Sequence, residues 1–232
     1  MREAIVLAGG LGTRLRSVTG VIPKSMVQVA ERPFLEYMFD YLLENNIEKV
    51  ILAIGYNGEY IENYFGSEYK GIQIIYCNEE YPLGTGGAII YALSLATSDD
   101  VFVLNGDSIF LVNLTDLLSF HIDHKSVITI SVKPLKNYDR YGSVVLDNNS
   151  RVIEFKEKVF TENGLINGGV YLVNKMSLMT MVLPESFSFE YELLEAKLNL
   201  IKEYGYVENA YFRDIGIPED YERAQHEFKE FN

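Results

Sequence analysis

The chain has 232 residues, 48% apolar and 23% charged, with 18 Gly and 6 Pro, which excludes collagen-like, low-complexity and disordered classes. With 33 acidic against 20 basic residues the formal charge is −13, which repels nucleic-acid backbones and anionic lipid, so neither is expected as a partner. Cys77 is the only cysteine and the three histidines stand in no ligand spacing, so neither an internal disulfide nor a zinc site is expected.

A chain of this size can bury about 70% of its unfolded surface without covalent staples. One domain over residues 1–232 is therefore expected, with a first half to residue 110 and a second from 111. The N-terminus MREAIVLAGG lacks a long apolar segment with a cleavage site, and no apolar run reaches bilayer length, so a cytoplasmic setting is expected.

In chain order, residues 3–8 read as a strand and 33–43 as a helix opened by Pro33, with Phe34, Tyr37, Met38, Tyr41 and Leu42 on one face. Residues 49–54 and 72–77 read as strands, 86–96 as a helix and 101–105 as a strand. This alternation predicts an α/β fold: a Rossmann-like, mainly parallel sheet flanked by helices. After Asp107 shorter strands follow at 127–133, 141–146, 151–155 and 166–173, which predicts a smaller α+β lobe on that sheet. A further strand over 205–211 and a helix over 218–231 complete the chain.

Four segments carry chemistry. LAGGLGTRLRSVTGVIPKSM, residues 7–26, leaves the first strand with Gly9, Gly10 and Gly12 and then supplies Arg14, Arg16 and Lys24. Glycines there let backbone N–H groups approach a phosphate chain whose charge the cations offset. A dinucleotide fingerprint fails because Leu15 stands at its third glycine, and a Walker loop fails because Pro23 precedes Lys24. Asn105-Gly106-Asp107 sets a carboxylate at a strand's carboxyl end, where ligands of open sheets gather and a divalent cation could be held. Residues 81–87, with Gly84 and Thr85, offer small residues against which a flat base could lie. The fourth group is Phe155-Lys156-Glu157-Lys158, Ile166-Asn167-Gly168-Gly169-Val170-Tyr171 and Phe212-Arg213-Asp214-Ile215-Gly216.

Taken in order, these segments resemble the sugar-1-phosphate nucleotidyltransferase family over residues 3 to 222, whose pattern runs L-A-G-G-x-G-T-R-L, P-K, L-G-T-x-x-A, G-D, E-K, N-x-G-x-Y and D-x-G. The resemblance implies that Leu7, Ala8, Gly9, Gly10, Gly12, Thr13 and Arg14 wrap a nucleoside triphosphate, with Lys24 neutralising phosphate charge. It implies that Gly84 and Thr85 line the base beside Asn105 and Gly106, and that Asp107 and Asp214 hold Mg2+. Glu157 and Lys158 would hold the sugar and its phosphate, with Gly142, Asn167 and Gly169 as sugar-pocket positions. Ser25, Val159 and Ile217 depart from the family pattern, and Lys156 could take the role of Lys158, so the register of that element stays open.

The implied reaction joins a sugar 1-phosphate to a nucleoside triphosphate with release of pyrophosphate. The attacking phosphate has a second pKa of about 6 and is mostly dianionic at neutral pH, so no general base is required. Arg14, Lys24, Asp107 and Lys158 would be the catalytic set, holding two polyanions in line. Residues 82–88 resemble most the branch that uses GTP and a heptose 1-phosphate, while branches using mannose or glucose phosphates and other bases share nearly all the motifs. A binding protein that has lost turnover is the competing class; retention of both aspartates and the named cations speaks against it. Among 17 tyrosines, Tyr69, Tyr81 and Tyr138 lie in loop-like segments that could form a homodimer surface, although exposed or sugar-stacking tyrosines explain them equally well.

Overall fold

The computed structural model describes residues 1–10, 20, 22–55, 57–156, 160–198 and 200–231, without the side chain of Lys156. Strand β1 (Glu3–Leu7) is followed by the short pair β2 (Gln28–Val29) and β3 (Arg32–Pro33), helix α1 (Phe34–Glu44) and strand β4 (Lys49–Ile54). Helix α2 (Gly58–Phe65), β5 (Glu68–Tyr69), β6 (Ile72–Asn78), α3 (Gly84–Leu95) and β7 (Asp100–Asn105) complete the first half. β4 is buried along its whole length, which is why it reads as an unbroken apolar run: a central parallel strand is covered by helices on both faces.

β1 pairs in parallel with β4 on one side and β7 on the other, and β6 lies in parallel beyond β4. The chain thus builds outward from β1 to β6 and then returns to the other side of β1. The crevice at the carboxyl ends of β1 and β7 is the topological switch point, where open α/β sheets bind ligands.

The second half runs β8 (Ser108–Phe110), α4 (Leu114–His124), β9 (Ile128–Tyr138), β10 (Ser143–Leu146), β11 (Val152–Lys156), β12 (Thr161–Asn174) and α5 (Lys175–Met179). A π-helical turn (Phe189–Glu195), β13 (Glu203–Val207), β14 (Phe212–Asp214) and α6 (Pro218–Glu227) close it, with a 3-10 turn (Phe228–Phe231) after α6. Asn113 starts α4, its side-chain oxygen accepting from the N–H groups of Thr115 and Asp116.

The expected lobe is continuous with the first sheet. β12 is 14 residues long, about twice the expected strand, because its second part pairs antiparallel with β7 and its first part with β10, while β9 runs along its other side. Among the described residues this gives one ten-stranded sheet. The strand expected over 205–211 lies earlier, as β13, which pairs with β9 and ends at Val207; beyond it β14 pairs antiparallel with β8 in a separate ribbon that sets Asp214 opposite Ser108. Apolar layers cover both faces, one containing Phe34, Phe102 and Phe110, the other Ile51, Tyr171 and Phe189. No helix among the described residues is long and apolar enough to cross a membrane.

Candidate active site

The carboxyl ends of β1, β4 and β7 open into a cleft of about 1240 Å³. The Ala8 N–H donates to the Ala53 carbonyl at 2.8 Å and the Gly106 N–H to the Leu7 carbonyl at 3.0 Å, tying the three strand ends together. Leu7, Ala8, Gly9 and Gly10 line the cleft, as do Asn105 and Gly106. Glycine is demanded at 106 by space: a Cβ there would lie 2.4 Å from the Leu7 carbonyl oxygen. Gly12, Thr13, Arg14, Glu157 and Lys158 fall outside the described residues.

Gly84 and Thr85 also line the cleft, at the start of α3. Gly84 has φ +69°, and a Cβ on it would stand 2.5 Å from the Phe187 carbonyl oxygen. The turn docks on residues 185–189, with the Gly86 N–H donating to Phe187 and the Phe187 N–H to Leu83. The Thr85 hydroxyl accepts from the Phe189 N–H at 2.8 Å and donates to Glu190 at 3.3 Å. Its side chain is thus used within the protein.

Lys24, Asp107 and Asp214 meet in the same cleft, although 190 positions separate the first from the last. Lys24 Nζ lies 2.5 Å from Asp107 Oδ2 and 3.9 Å from Asp214 Oδ1, and the lysine side chain is only 10% exposed. The β8/β14 ribbon fixes this meeting, since the Ile215 N–H donates to the Asp107 carbonyl at 3.0 Å. The Gly216 N–H holds Asp214 Oδ1 at 2.5 Å, and a Cβ on Gly216 would crowd both Asp214 Oδ1 and Lys24 Nζ. Burial, and then the neighbouring Asp107 charge, push the Asp214 carboxyl above its ordinary value.

No set of three His, Cys, Asp or Glu side chains converges among the described residues. Two hard oxygen donors are the provision expected for Mg2+, which is commonly held by one or two carboxylates and completed by substrate phosphates and water. Asp107 and Asp214 both approach Lys24 Nζ in the cleft, and burial together with the Asp107 charge disfavours an uncompensated Asp214 carboxylate, so the pair fits such an ion.

On the opposite wall, Gly142 and Asn167 line the cleft. Gly169 does not: it sits behind the wall, with φ +72° and an imagined Cβ 2.7 Å from Asn105 Nδ2. The register of β12 on β9 slips between Asn167 and Tyr171, and in that bulge the Gly169 N–H donates to Asn167 Oδ1 at 3.0 Å. Gly169 therefore shapes the wall through its backbone conformation.

Arg140 and Glu190 are cleft residues that no sequence motif singled out. Arg140 joins Lys24 as a cation of the lining among the described residues, its Nη1 2.8 Å from Oδ2 of the buried Asp220. It directly precedes Tyr141-Gly142, so a charged residue beside a glycine at a strand end was the signal available. Glu190 sits on the π-helical turn inside the apolar string Phe187-Ser188-Phe189-Glu190-Tyr191, which carries no motif. Of the three tyrosines expected at a partner surface, Tyr138 is buried with its hydroxyl 2.6 Å from Ser143 Oγ, and Tyr69 is half-buried against Phe39 and Phe65. Only Tyr81 is well exposed, because the apparent loops around the other two are strand ends.

Residues 3–230 match the family described as nucleotidyl transferase. The D-glycero-alpha-D-manno-heptose 1-phosphate guanylyltransferase of Aneurinibacillus thermoaerophilus is 48% identical over 229 residues, 99% of each chain. The enzyme of the same name from Campylobacter jejuni is 45% identical over 94% of this chain and 96% of its own. The crystal structure of HddC from Yersinia pseudotuberculosis superposes with a TM-score of 0.89 at 35% identity, covering 98% of this chain and 100% of HddC; HddC has also been solved complexed with GMP-PN.

Proposed function

The chain belongs to the nucleotidyl transferase family, and from that premise we propose that it is the guanylyltransferase joining D-glycero-α-D-manno-heptose 1-phosphate to GTP. A phosphate oxygen of the heptose 1-phosphate attacks the α-phosphorus of GTP. The bond from that phosphorus to the bridging oxygen breaks, pyrophosphate leaves with the electron pair, and GDP-heptose forms. The observation that carries the reading is the convergence of Lys24, Asp107 and Asp214 at the switch point of the sheet.

The reaction must bring two polyanions together, so holding and charge screening are the protein's main tasks. The backbone from Leu7 to Gly10 would receive the triphosphate, with Gly12, Thr13 and Arg14 completing the loop and Lys24 as a buried cation beside it. Gly84 and Thr85 would present backbone to guanine, next to Asn105 and Gly106. Asp107 and Asp214 would hold Mg2+, which when bound supplies charge neutralisation at the phosphates. Gly142 and Asn167 would face the sugar, and Glu157 with Lys158 or Lys156 would hold it and its phosphate. Residues 1–232 would act as one domain, in the cytoplasm where phosphorylated sugars and GTP are at hand.

A panel pairing GTP, CTP, UTP and dTTP with heptose, mannose and glucose 1-phosphates, read by pyrophosphate release, tests the reading. The highest kcat/KM is expected for GTP with the heptose. Equal use of the four triphosphates would overturn guanine selection, preference for mannose 1-phosphate would move the chain to another branch, and silence in every pair would leave a binding protein.

A further inference from the structure

Between the turn assigned to the base and the wall assigned to the sugar runs one hydrogen-bonded chain of side chains. Asn167 Nδ2 donates to the Tyr171 hydroxyl at 2.8 Å, and that hydroxyl donates to Glu190 Oε1 at 3.5 Å. Glu190 Oε2 accepts from Thr85 Oγ1 at 3.3 Å and from Ser188 Oγ at 3.4 Å. Tyr171 is fully buried, whereas Glu190 and Asn167 both line the cleft.

Proton bookkeeping gives this chain a direction. A carboxylate only accepts, so the single Tyr171 proton goes to Glu190, and the Tyr171 oxygen must then accept. Its other neighbour is therefore obliged to be the amide nitrogen of Asn167, while Asn167 Oδ1 is pinned from the other side by the Gly169 N–H. Burial, and then the Glu190 charge, push the Tyr171 phenol well above its ordinary value, so the hydroxyl keeps its proton across the physiological range. What remains of the Asn167 amide for the cleft is one N–H and one oxygen lone pair, held in a single orientation. A sugar hydroxyl, which donates and accepts at once, is the group that such an adjacent pair fits.

We infer that Glu190 is a positioning residue for the sugar: through Tyr171 it locks the amide of Asn167 in the orientation that receives a hydroxyl of the sugar 1-phosphate. The inference rests on the functional reading above and adds to it a residue that touches no reacting atom. The π-helical turn that carries Glu190 is a local distortion of the kind found at functional sites, and Ser188 caps it by accepting from the Tyr191 N–H.

The test uses Glu190→Gln, Tyr171→Phe and the double variant, all close to the native volumes. Glutamine can donate where glutamate could not, which frees the Tyr171 proton to turn; phenylalanine removes the relay outright. Each single variant is expected to raise KM for the sugar 1-phosphate about tenfold, the worth of one net hydrogen bond, with KM for GTP changed by less than about twofold. The double variant is expected to match the singles, because both break the same relay. An unchanged sugar KM in Glu190→Gln, additive losses in the double variant, or a loss falling mainly on GTP would each overturn the inference while the wild type still turned over. A wild type that releases no pyrophosphate with any sugar 1-phosphate would overturn the functional reading, and this inference with it.

Discussion

The two walls of the cleft are made by different means. On the parallel side, the ends of β1, β4 and β7 present backbone, and at two points the packing leaves little or no space for a side chain: a Cβ on Gly9 would come to 3.0 Å from the Gly55 nitrogen, and one on Gly106 closer still to Leu7. On the antiparallel side, Arg140, Asn167 and Glu190 face the cleft with side chains held by other side chains. Under the proposed function the strand-end backbone from Leu7 to Gly10 would receive what all nucleoside triphosphates share, their phosphates. A side-chain surface can be altered one residue at a time, so under the proposed function discrimination among sugars would belong there. Branches that exchange the sugar can therefore keep the first wall intact.

The largest effect is expected where the walls meet. Asp107→Asn keeps shape but removes a charge, and turnover is expected to fall by about 10²–10³ because the lost group acts on charge at the reacting phosphates. Asp107 is 42% exposed and among the described residues pairs with Lys24 alone, so the unfolding midpoint should stay close to that of the wild type. Pyrophosphate release together with thermal unfolding checks both; near-normal turnover would remove Asp107 from the site.

Next comes Gly106→Ala, aimed at the backbone wall. The new methyl meets backbone atoms of Leu7 and Ala8, which cannot swing aside, so β1 and β7 must separate. A loss of about 2 kcal/mol in denaturant unfolding is expected from such overpacking, together with lost GTP binding. A variant as stable as the wild type would mean that the strand ends are looser than their hydrogen bonds imply.

Much of the first wall was legible in the sequence. A parallel sheet buries its strands on both faces, so residues 49–54 and 101–105 stood out as apolar runs, and the glycines after them marked the ligand end. The second wall was less legible for a physical reason. β12 changes partners along its length, so its first part lacks the burial of its second, and the sequence pattern shows only the latter. Asp214 could be singled out by motif, but its place beside Asp107 depends on the β8/β14 ribbon, a pairing across about a hundred residues with no local signature. Glu190 stands between Phe189 and Tyr191 with Glu192 just beyond, and nothing in its neighbours tells a solvated carboxylate from one that accepts from Tyr171 and Thr85.

Arg140→Met tests the side-chain wall with a smaller change. The guanidinium is already oriented by Asp220, whose other oxygen faces Arg213 at 3.4 Å, and among the described residues no other carboxylate pairs with it, which leaves donors for an incoming phosphate. Loss of the charge with the stem retained is expected to lower kcat/KM for the sugar 1-phosphate about tenfold, with GTP less affected. Equal losses for both substrates would assign Arg140 to the cleft's general field instead of to one wall.

The smallest predicted effect separates the two halves by their buried acids. Glu3, in β1, is fully buried, but Lys49 Nζ lies 2.9 Å away and Thr97 and Ser98 donate to its oxygens. Burial alone would raise its pKa, yet these partners hold it down to about 2, so its stabilisation is present above the ordinary 4.5 and lost as pH falls toward 2. Glu203, in β13 opposite Ile128, is just as buried, and neither of its oxygens has a partner among the described residues. Burial pushes it up to about 9, with Arg151 opposing only in part. Here the sign reverses. Between pH 4.5 and about 9 the unfolded chain has released the proton that the folded chain keeps, so stability falls as pH rises, by about 1 kcal/mol per pH unit. Glu203→Gln removes that slope, and urea unfolding at pH 7 and pH 8 should show the variant's advantage growing by about 1 kcal/mol. Parallel curves for the two proteins would mean that Glu203 is ionised in the fold, and the antiparallel half would then be as well satisfied in its polar groups as the parallel one.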